Sequence, residues 1–259
     1  MSLLAMAIWD TIENGRSKYT NAALESLYRT VDWGRHRLVC VDNGSCYETK
    51  IILDHWEPKI GFSRIENEAN LGQASAINQA WRMFDPEADR HVARVDNDIK
   101  FMTNGWMDVL EEVIERDEEI GLAALKHPDL VDCPEETDWR KTSYHTVPHK
   151  KGQKHIVVER MNHCLGSAQL ISRELFDRIG YLRPYGLYGS EDVDYCVRCK
   201  LAGLHCVYVH GLHFYDLDQC KNEAYQKWKE ETSSRNMPEM DRIIEGYRSG
   251  RNLHYSGKS

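Results

Sequence analysis

An α/β fold with a mostly parallel central sheet is predicted by three observations. Short β-rich runs alternate with amphipathic helical stretches through the first half of the chain. Several of those runs end in turn-forming peptides that carry carboxylates. The chain has 259 residues, 41% of them hydrophobic, which suits one large domain of this class or one domain with an appendage.

The elements follow in order. Leu3 to Trp9 is an apolar first strand. It has no basic flank or cleavage site and is not read as a signal peptide. Asn21 to Thr30 is a helix with Ala23, Leu24, Leu27 and Tyr28 on one face. Arg37 to Val41 is the next strand and runs into Asp42-Asn43-Gly44-Ser45, a turn signal. Ile60 to Ile65 is a third strand and Leu71 to Phe84 an amphipathic helix. His91 to Val95 is a fourth strand, and Asn104 to Arg116 a helix with Trp106, Val109, Leu110 and Val113 at core spacing. Ile120 to Leu125 is a fifth strand, and right-handed crossovers are expected between these parallel strands.

The alternation breaks at Lys126 to Lys154, a polar stretch with three prolines and no clear period. Its distal part carries Arg140, Lys141, Lys150, Lys151, Lys154, His145, His149 and His155, which fits either a loop for an anionic acceptor or a solvated charge run. Gly166 to Ser172 resumes as a strand, followed by helices at Arg173 to Ile179 and Glu191 to Ala202 and a strand at Cys206 to His210. From Lys221 the chain reads as a packed C-terminal helix or a tail.

Net charge is −8, which argues against broad nucleic-acid coating but leaves room for a local basic groove. No apolar run is long enough to span a bilayer. Eight scattered cysteines read as reduced thiols in a cytoplasmic protein. Cys196 and Cys199 form a CxxC with Cys206 nearby, but a structural zinc site wants a second ligand pair that the sequence lacks.

The chemistry concentrates at Asp96-Asn97-Asp98. Two carboxylates emerging at a strand end can hold a hard divalent cation, Mn²⁺ or Mg²⁺, that bridges to a nucleotide diphosphate. The plain alternative is a strand-end turn. Other segments sit at matching positions. Asp42 ends the second strand, where it could accept a base N–H. Asn70-Leu71-Gly72 opens a helix whose free N–H groups suit anions. Gly166-Ser167-Ala168 lets backbone approach a ligand, and Glu191-Asp192-Val193-Asp194 begins a helix.

Taken in order, these motifs resemble glycosyltransferase family 2, from Ala5 to about His213. The resemblance implies a GT-A fold, Rossmann-like, with a mostly parallel sheet flanked by helices and a C-terminal helical extension. It implies a catalytic domain over 1–215, with a nucleotide-binding half to 125 and an acceptor-binding half from 126, then an extension or tail over 216–259. It further implies that Asp42 recognises the base, that Thr11 lines the same pocket, and that Asn70, Gly72, Asp96, Asn97 and Gly166 contact the donor. Asp98 and His213 would bind the metal, with His210 as competitor for the histidine role. Asp192 would be the general base, with Glu191 steering the acceptor or sugar. The first strand departs from the family in reading Asp10-Thr11-Ile12-Glu13-Asn14 where Asn-Arg usually follows the threonine.

The expected activity is transfer from a nucleotide-diphosphate sugar, UDP-linked, to an acceptor hydroxyl with inversion. The acceptor could be a lipid-linked sugar, a glycan or modified DNA. A nucleotidyltransferase would need a Gly-rich basic loop after the first strand, which Asp10 to Ser17 lacks. A non-catalytic nucleotide-sugar binding module is disfavoured by the intact acidic set.

Overall fold

The computed structural model describes residues 1–126, 143–149, 155–218 and 222–257. A nine-stranded sheet forms its centre, in the order β3-β2-β1-β4-β9-β6-β10-β8-β7. The strands are β1 (Ser2–Ile8), β2 (His36–Asn43), β3 (Ser63–Asn67), β4 (His91–Asp96), β6 (Ile120–Leu125), β7 (Ser143–Pro148), β8 (His155–Met161), β9 (Ala168–Ile171) and β10 (His205–Val209). β5 (Ile99–Phe101) and β11 (Phe214–Asp216) form a separate antiparallel ribbon. In the large sheet only β9 and β8 run against the others, so the expected mostly parallel architecture is present.

Alternation along the strands sends successive side chains to opposite faces. Leu4, Met6 and Ile8 enter one buried layer, with α1 (Ser17–Thr30), α2 (Tyr47–Ile60) and α4 (Trp106–Arg116). Leu3 and Ala5 enter the other, with α3 (Gln73–Trp81), α5 (Arg173–Ile179) and α6 (Glu191–Leu201). Burial on both faces explains why these strands read as continuous apolar runs. α7 (Glu223–Arg248) packs Met240, Ile243, Ile244 and Tyr247 against Tyr185, so the C-terminal helix forms.

Several expected boundaries move. α1 starts at Ser17, four residues before the expected Asn21. α2 was not anticipated, although Thr49, Leu53, Trp56 and Ile60 form a buried stripe at helical spacing. Pro58 in its last turn masked that pattern. Gly61 then ends the helix at φ 77°, which leaves Ser63, not Ile60, to begin β3. The aperiodic stretch after Leu125 contains part of a hairpin, with Thr146 opposite Val157 and Val147 opposite Ile156. His145 lies 3.3 Å from Asp117 and His149 3.3 Å from Glu112, so these two imidazoles face acids of the protein. Arg140, Lys141, Lys150, Lys151 and Lys154 lie outside the described residues.

Candidate active site

The parallel strands β1, β2 and β4 bring their C-terminal ends together, and the polar residues after them converge there. Asp96 ends β4. Its Oδ1 accepts a hydrogen bond of 2.9 Å from Gln73 Nε2 on α3. Burial, with repulsion from Asp98 and Glu191, pushes the Asp96 carboxyl up to about 7 against the pull of Arg94. Arg94 sits two residues earlier on the same face of β4 and reaches Glu191 at 3.2 Å. Two further donors of this buried guanidinium, Nε and Nη1, have no hydrogen-bond partner among the described residues.

Asp98 is held by Arg16, whose Nη2 lies 2.7 Å from Oδ2. The same guanidinium pairs with Asp218 at 2.6 Å and stacks 4.6 Å from the centre of the Tyr225 ring on α7. Asn97 turns inward, donating to Asp10 at 2.9 Å and to Thr20 at 2.7 Å. Its amide therefore braces the loop, even though the residue borders the cavity.

The helix carrying Asp192 opens under backbone strain. Ser190 adopts φ 75°, the one non-glycine positive φ among the described residues. The acidic block then divides. Asp194 and Arg198 form a fully buried 2.7 Å pair, with the hydroxyls of Tyr185 and Tyr247 also donating to Asp194. Asp192 faces the cavity instead. Its Oδ2 lies 3.3 Å from the Gly166 N–H and 3.2 Å from His163 Nε2. Burial opposes its ionisation, but His163 and Arg94 prevail and hold the carboxyl down at about 2. Gly166 is required for packing: a Cβ there would lie 2.6 Å from Arg94 Cζ.

Two adjoining cavities result. One of about 70 Å³ is bordered by Trp9, Arg16, Asn70, Asp98, Tyr188 and Trp228. The other, of about 410 Å³, is bordered by Arg94, Asp96, Asp98, Gly166, Glu191, Asp192, Asp216 and Lys229. The structure thus brings Asp96, Asp98, Gly166, Glu191 and Asp192 together around one space.

Of the other anticipated residues, Asn70 borders only the smaller cavity, and Asp42, Thr11 and Gly72 border neither. Asp42 is buried and borders neither cavity; its Oδ1 accepts the Ser45 N–H at 2.8 Å, and Arg64 lies 3.7 Å from Oδ2. Thr11 closes a local turn with Asn14 through reciprocal bonds of 2.8 and 3.1 Å. The helix entry at Asn70 and Gly72 does not present free amides. The N–H groups of Leu71, Gly72 and Gln73 bond to Asn43, Asn70 and the Leu187 carbonyl. Gly72 still has a steric role, because a Cβ there would meet the Gly186 carbonyl at 2.6 Å.

His213 is exposed, and its carbonyl accepts from the Met102 N–H. Met102 lies four residues beyond Asp98, about 13 Å along an extended strand. The register instead sets Asp216 opposite Ile99, and Leu217 donates to the Asp98 carbonyl at 2.8 Å. His210 faces another acid, Glu159 of β8, at 3.6 Å and borders neither cavity. The structure therefore places neither histidine beside Asp98 and places Asp216 there.

Sequence reasoning missed Arg16, Gln73, Arg94, His163, Tyr188, Asp216, Tyr225, Trp228 and Lys229. Period-two alternation could have paired Arg94 with Asp96, and helical spacing could have grouped Tyr225, Trp228 and Lys229. His163 had no local signal. Cys164, Cys196, Cys199 and Cys206 are buried thiols. A hydrogen bond from Cys206 and burial push the Cys196 thiol well above its ordinary value, as suits inert core packing.

The family model for glycosyl transferase family 2 matches residues 13–180, and the chain belongs to that family. A curated relative, the low-salt glycan biosynthesis hexosyltransferase Agl10 of Haloferax volcanii, is 24% identical over 217 residues, covering 78% of this chain and 66% of its own length. Among solved structures, the mannosyltransferase PcManGT from Pyrobaculum calidifontis, in complex with GDP-Man and Mn²⁺, has a TM-score of 0.61 at 15% identity. That match covers 86% of this chain and 59% of PcManGT. TarS of S. aureus has a TM-score of 0.59 at 15% identity, covering 94% and 64%. GalNAc-T7 with UDP, GalNAc and Mn²⁺ has a TM-score of 0.58 at 14% identity, covering 86% and 44%. The chain thus spans two thirds or less of these relatives, whose likeness establishes the GT-A fold. Among the described residues no helix is long and apolar enough to cross a membrane.

Proposed function

We propose that this chain transfers a sugar from a nucleotide-diphosphate donor, UDP-linked, to an acceptor hydroxyl with inversion. The observation that carries this reading is the shared cavity: Asp192 opens onto the space bordered by Asp96 and Asp98. One wall offers a group for the acceptor proton, and the other offers groups for the donor.

The chain's own residues suggest the division of labour. Asp192 takes the acceptor proton as general base. Arg94 holds Glu191 in place beside it. Gln73 fixes Asp96 toward the donor sugar. Tyr188 and α7 cover the smaller cavity, which favours exclusion of water around the donor. Five acids, Asp96, Asp98, Glu191, Asp192 and Asp216, border the larger cavity against two bases, Arg94 and Lys229. That acid excess fits a hard divalent cation, Mn²⁺ or Mg²⁺, which would be held by Asp98 and Asp216. When bound, such an ion supplies charge neutralisation for the departing diphosphate. Thiols without disulfides among the described cysteines support a cytoplasmic setting. The basic residues between 140 and 160 support an anionic acceptor.

A panel of nucleotide sugars, assayed for binding and hydrolysis with Mn²⁺ and with Mg²⁺, tests the reading. A UDP-sugar should be consumed in a metal-dependent manner; silence across the panel would remove the donor assignment. NMR of the product's anomeric linkage tests inversion, and a retained configuration would exclude Asp192 as a base in single displacement.

A further inference from the structure

The larger cavity changes character along its length. One face of α7 borders it through Lys229, Ser233, Met237 and Met240. Helical geometry sets Lys229 and Met237 about 12 Å apart along the axis. Lys229 also borders the smaller cavity, so its end of the face belongs with Asp96 and Asp98. Past Ser233 the face is apolar. Two aliphatic side chains of the same cavity flank Asp192. Val193 follows it in the chain, and Leu165 precedes Gly166, whose N–H lies 3.3 Å from Asp192 Oδ2. Val193 packs against the buried cluster that includes Met240, and through these two residues the cluster surfaces in the cavity. Met237 borders the cavity while 49% exposed, which places it at the mouth. The face is held in position. Asn236 donates to the Tyr188 carbonyl at 2.9 Å, and a Cβ on Gly189 would lie 2.8 Å from Ser233 Oγ.

We propose that Leu165, Val193, Met237 and Met240 form an acceptor subsite for an aliphatic group carried next to the accepting hydroxyl, so that the acceptor is an amphiphile. This subsite deepens the functional reading above and rests on Asp192 being the general base. A hydroxyl within reach of Asp192 brings the atoms beyond it against these four side chains, because all of them border one space. None of the four carries a charge or a strong hydrogen-bonding group. Sugar hydroxyls pressed against them would lose water without replacement, which costs free energy. An alkyl chain gains there instead, by about a factor of four in affinity for each methylene fully buried. Met237 is unbranched and polarizable, and a thioether at the mouth adapts to chains of different shape.

The test uses octyl and methyl glycosides of glucose, galactose, mannose and N-acetylglucosamine as acceptors, below the micelle threshold, with the UDP-sugars of the donor panel. Octyl glycosides should exceed their methyl counterparts in kcat/KM by about tenfold, close to the worth of two buried methylenes. Met237→Gln, which keeps the side chain's length, should cut that preference to about threefold. Equal use of the two series, or of neither, overturns the subsite, as does a preference that survives Met237→Gln unchanged. NMR of the whole chain with ¹³C-labelled methionine methyls gives a readout independent of transfer. Octyl glucoside, but not methyl glucoside, should shift the Met237 signal and leave that of Met102 in place, although Met102 is 48% exposed. No shift at Met237, or an equal shift at Met102, also overturns the subsite. The two levels separate cleanly. A selective shift at Met237 beside UDP-sugars that are never consumed upholds the subsite and defeats the donor assignment. Transfer that ignores the alkyl chain defeats the subsite and leaves the glycosyltransfer reading standing.

Discussion

The two ends of strands β1, β2 and β4 carry the same kinds of side chain and use them differently. At the N-terminal end, His36 lies 3.5 Å from Asp108 and 3.6 Å from Glu111. These three groups are close enough to share a cation. Arg35 nevertheless spans both carboxylates, and Ser2 donates to Glu111. That charge is met within the protein, and the cluster joins β1 and β2 to α4. At the C-terminal end the acids outnumber the bases and open onto a cavity large enough for part of a substrate. Chemistry belongs to the end where charge is left for a ligand to neutralise, and cohesion to the end where it is already neutralised.

Asp192→Asn should break this contrast most sharply. A general base contributes roughly 10²- to 10⁴-fold, so turnover should fall by about that factor. UDP binding, followed by calorimetry, should stay within about twofold of wild type. Gly166→Ala comes next. The added methyl collides with a guanidinium that is 2% exposed, which must shift within the wall of the cavity it borders. A displacement of about 1 Å in the Arg94–Glu191 wall should lower kcat by up to about 10²-fold while leaving circular dichroism unaltered. A normal kcat would show that Arg94 does not fix the catalytic wall.

The opposite end should respond in the opposite currency. Glu111→Gln removes a buried partner of Arg35 and should lower stability by about 1–3 kcal/mol in urea unfolding, with kcat within about twofold. A large loss of turnover there would erase the distinction between the two ends. The smallest effect concerns Asp96. Its folded-state value, about 7, lies above that of an exposed aspartate, so the protonated form is the one that folding favours. The wild type should therefore lose stability from this group as pH rises from about 4 through 7. Asp96→Asn should lack that loss and gain about 2 kcal/mol over wild type at pH 8 after screening, with little difference at pH 4. Thermal melts at the two pH values measure it.

Much of the fold could be read from local pattern, because burial of a strand on both faces or of a helix on one leaves a periodic trace. β1, β4, β6 and α4 were recognised within a residue or two for this reason. α2 was hidden because Pro58 and its charged neighbours obscured a stripe that packing completes. The site divides in the same way. Asp96, Asp98, Glu191 and Asp192 come from compact peptides at element ends, where sequence spacing fixes local geometry. Asp216 and His213 differ by three positions in one short segment, and only the pairing of β11 with β5 decides which one meets Asp98.

The chain by itself determined the alternating elements, the family and the acidic peptides at the ends of the strands, since these depend on near neighbours and on burial periodicity. Tertiary structure alone decided which groups became partners: Arg16 with Asp98, Arg94 with Glu191 and His163 with Asp192. Those pairs join residues 82, 97 and 29 positions apart, and no local rule of spacing acts over such a distance. Strand order and crossovers bring them within reach, and the low polarity of the surroundings makes each pairing count.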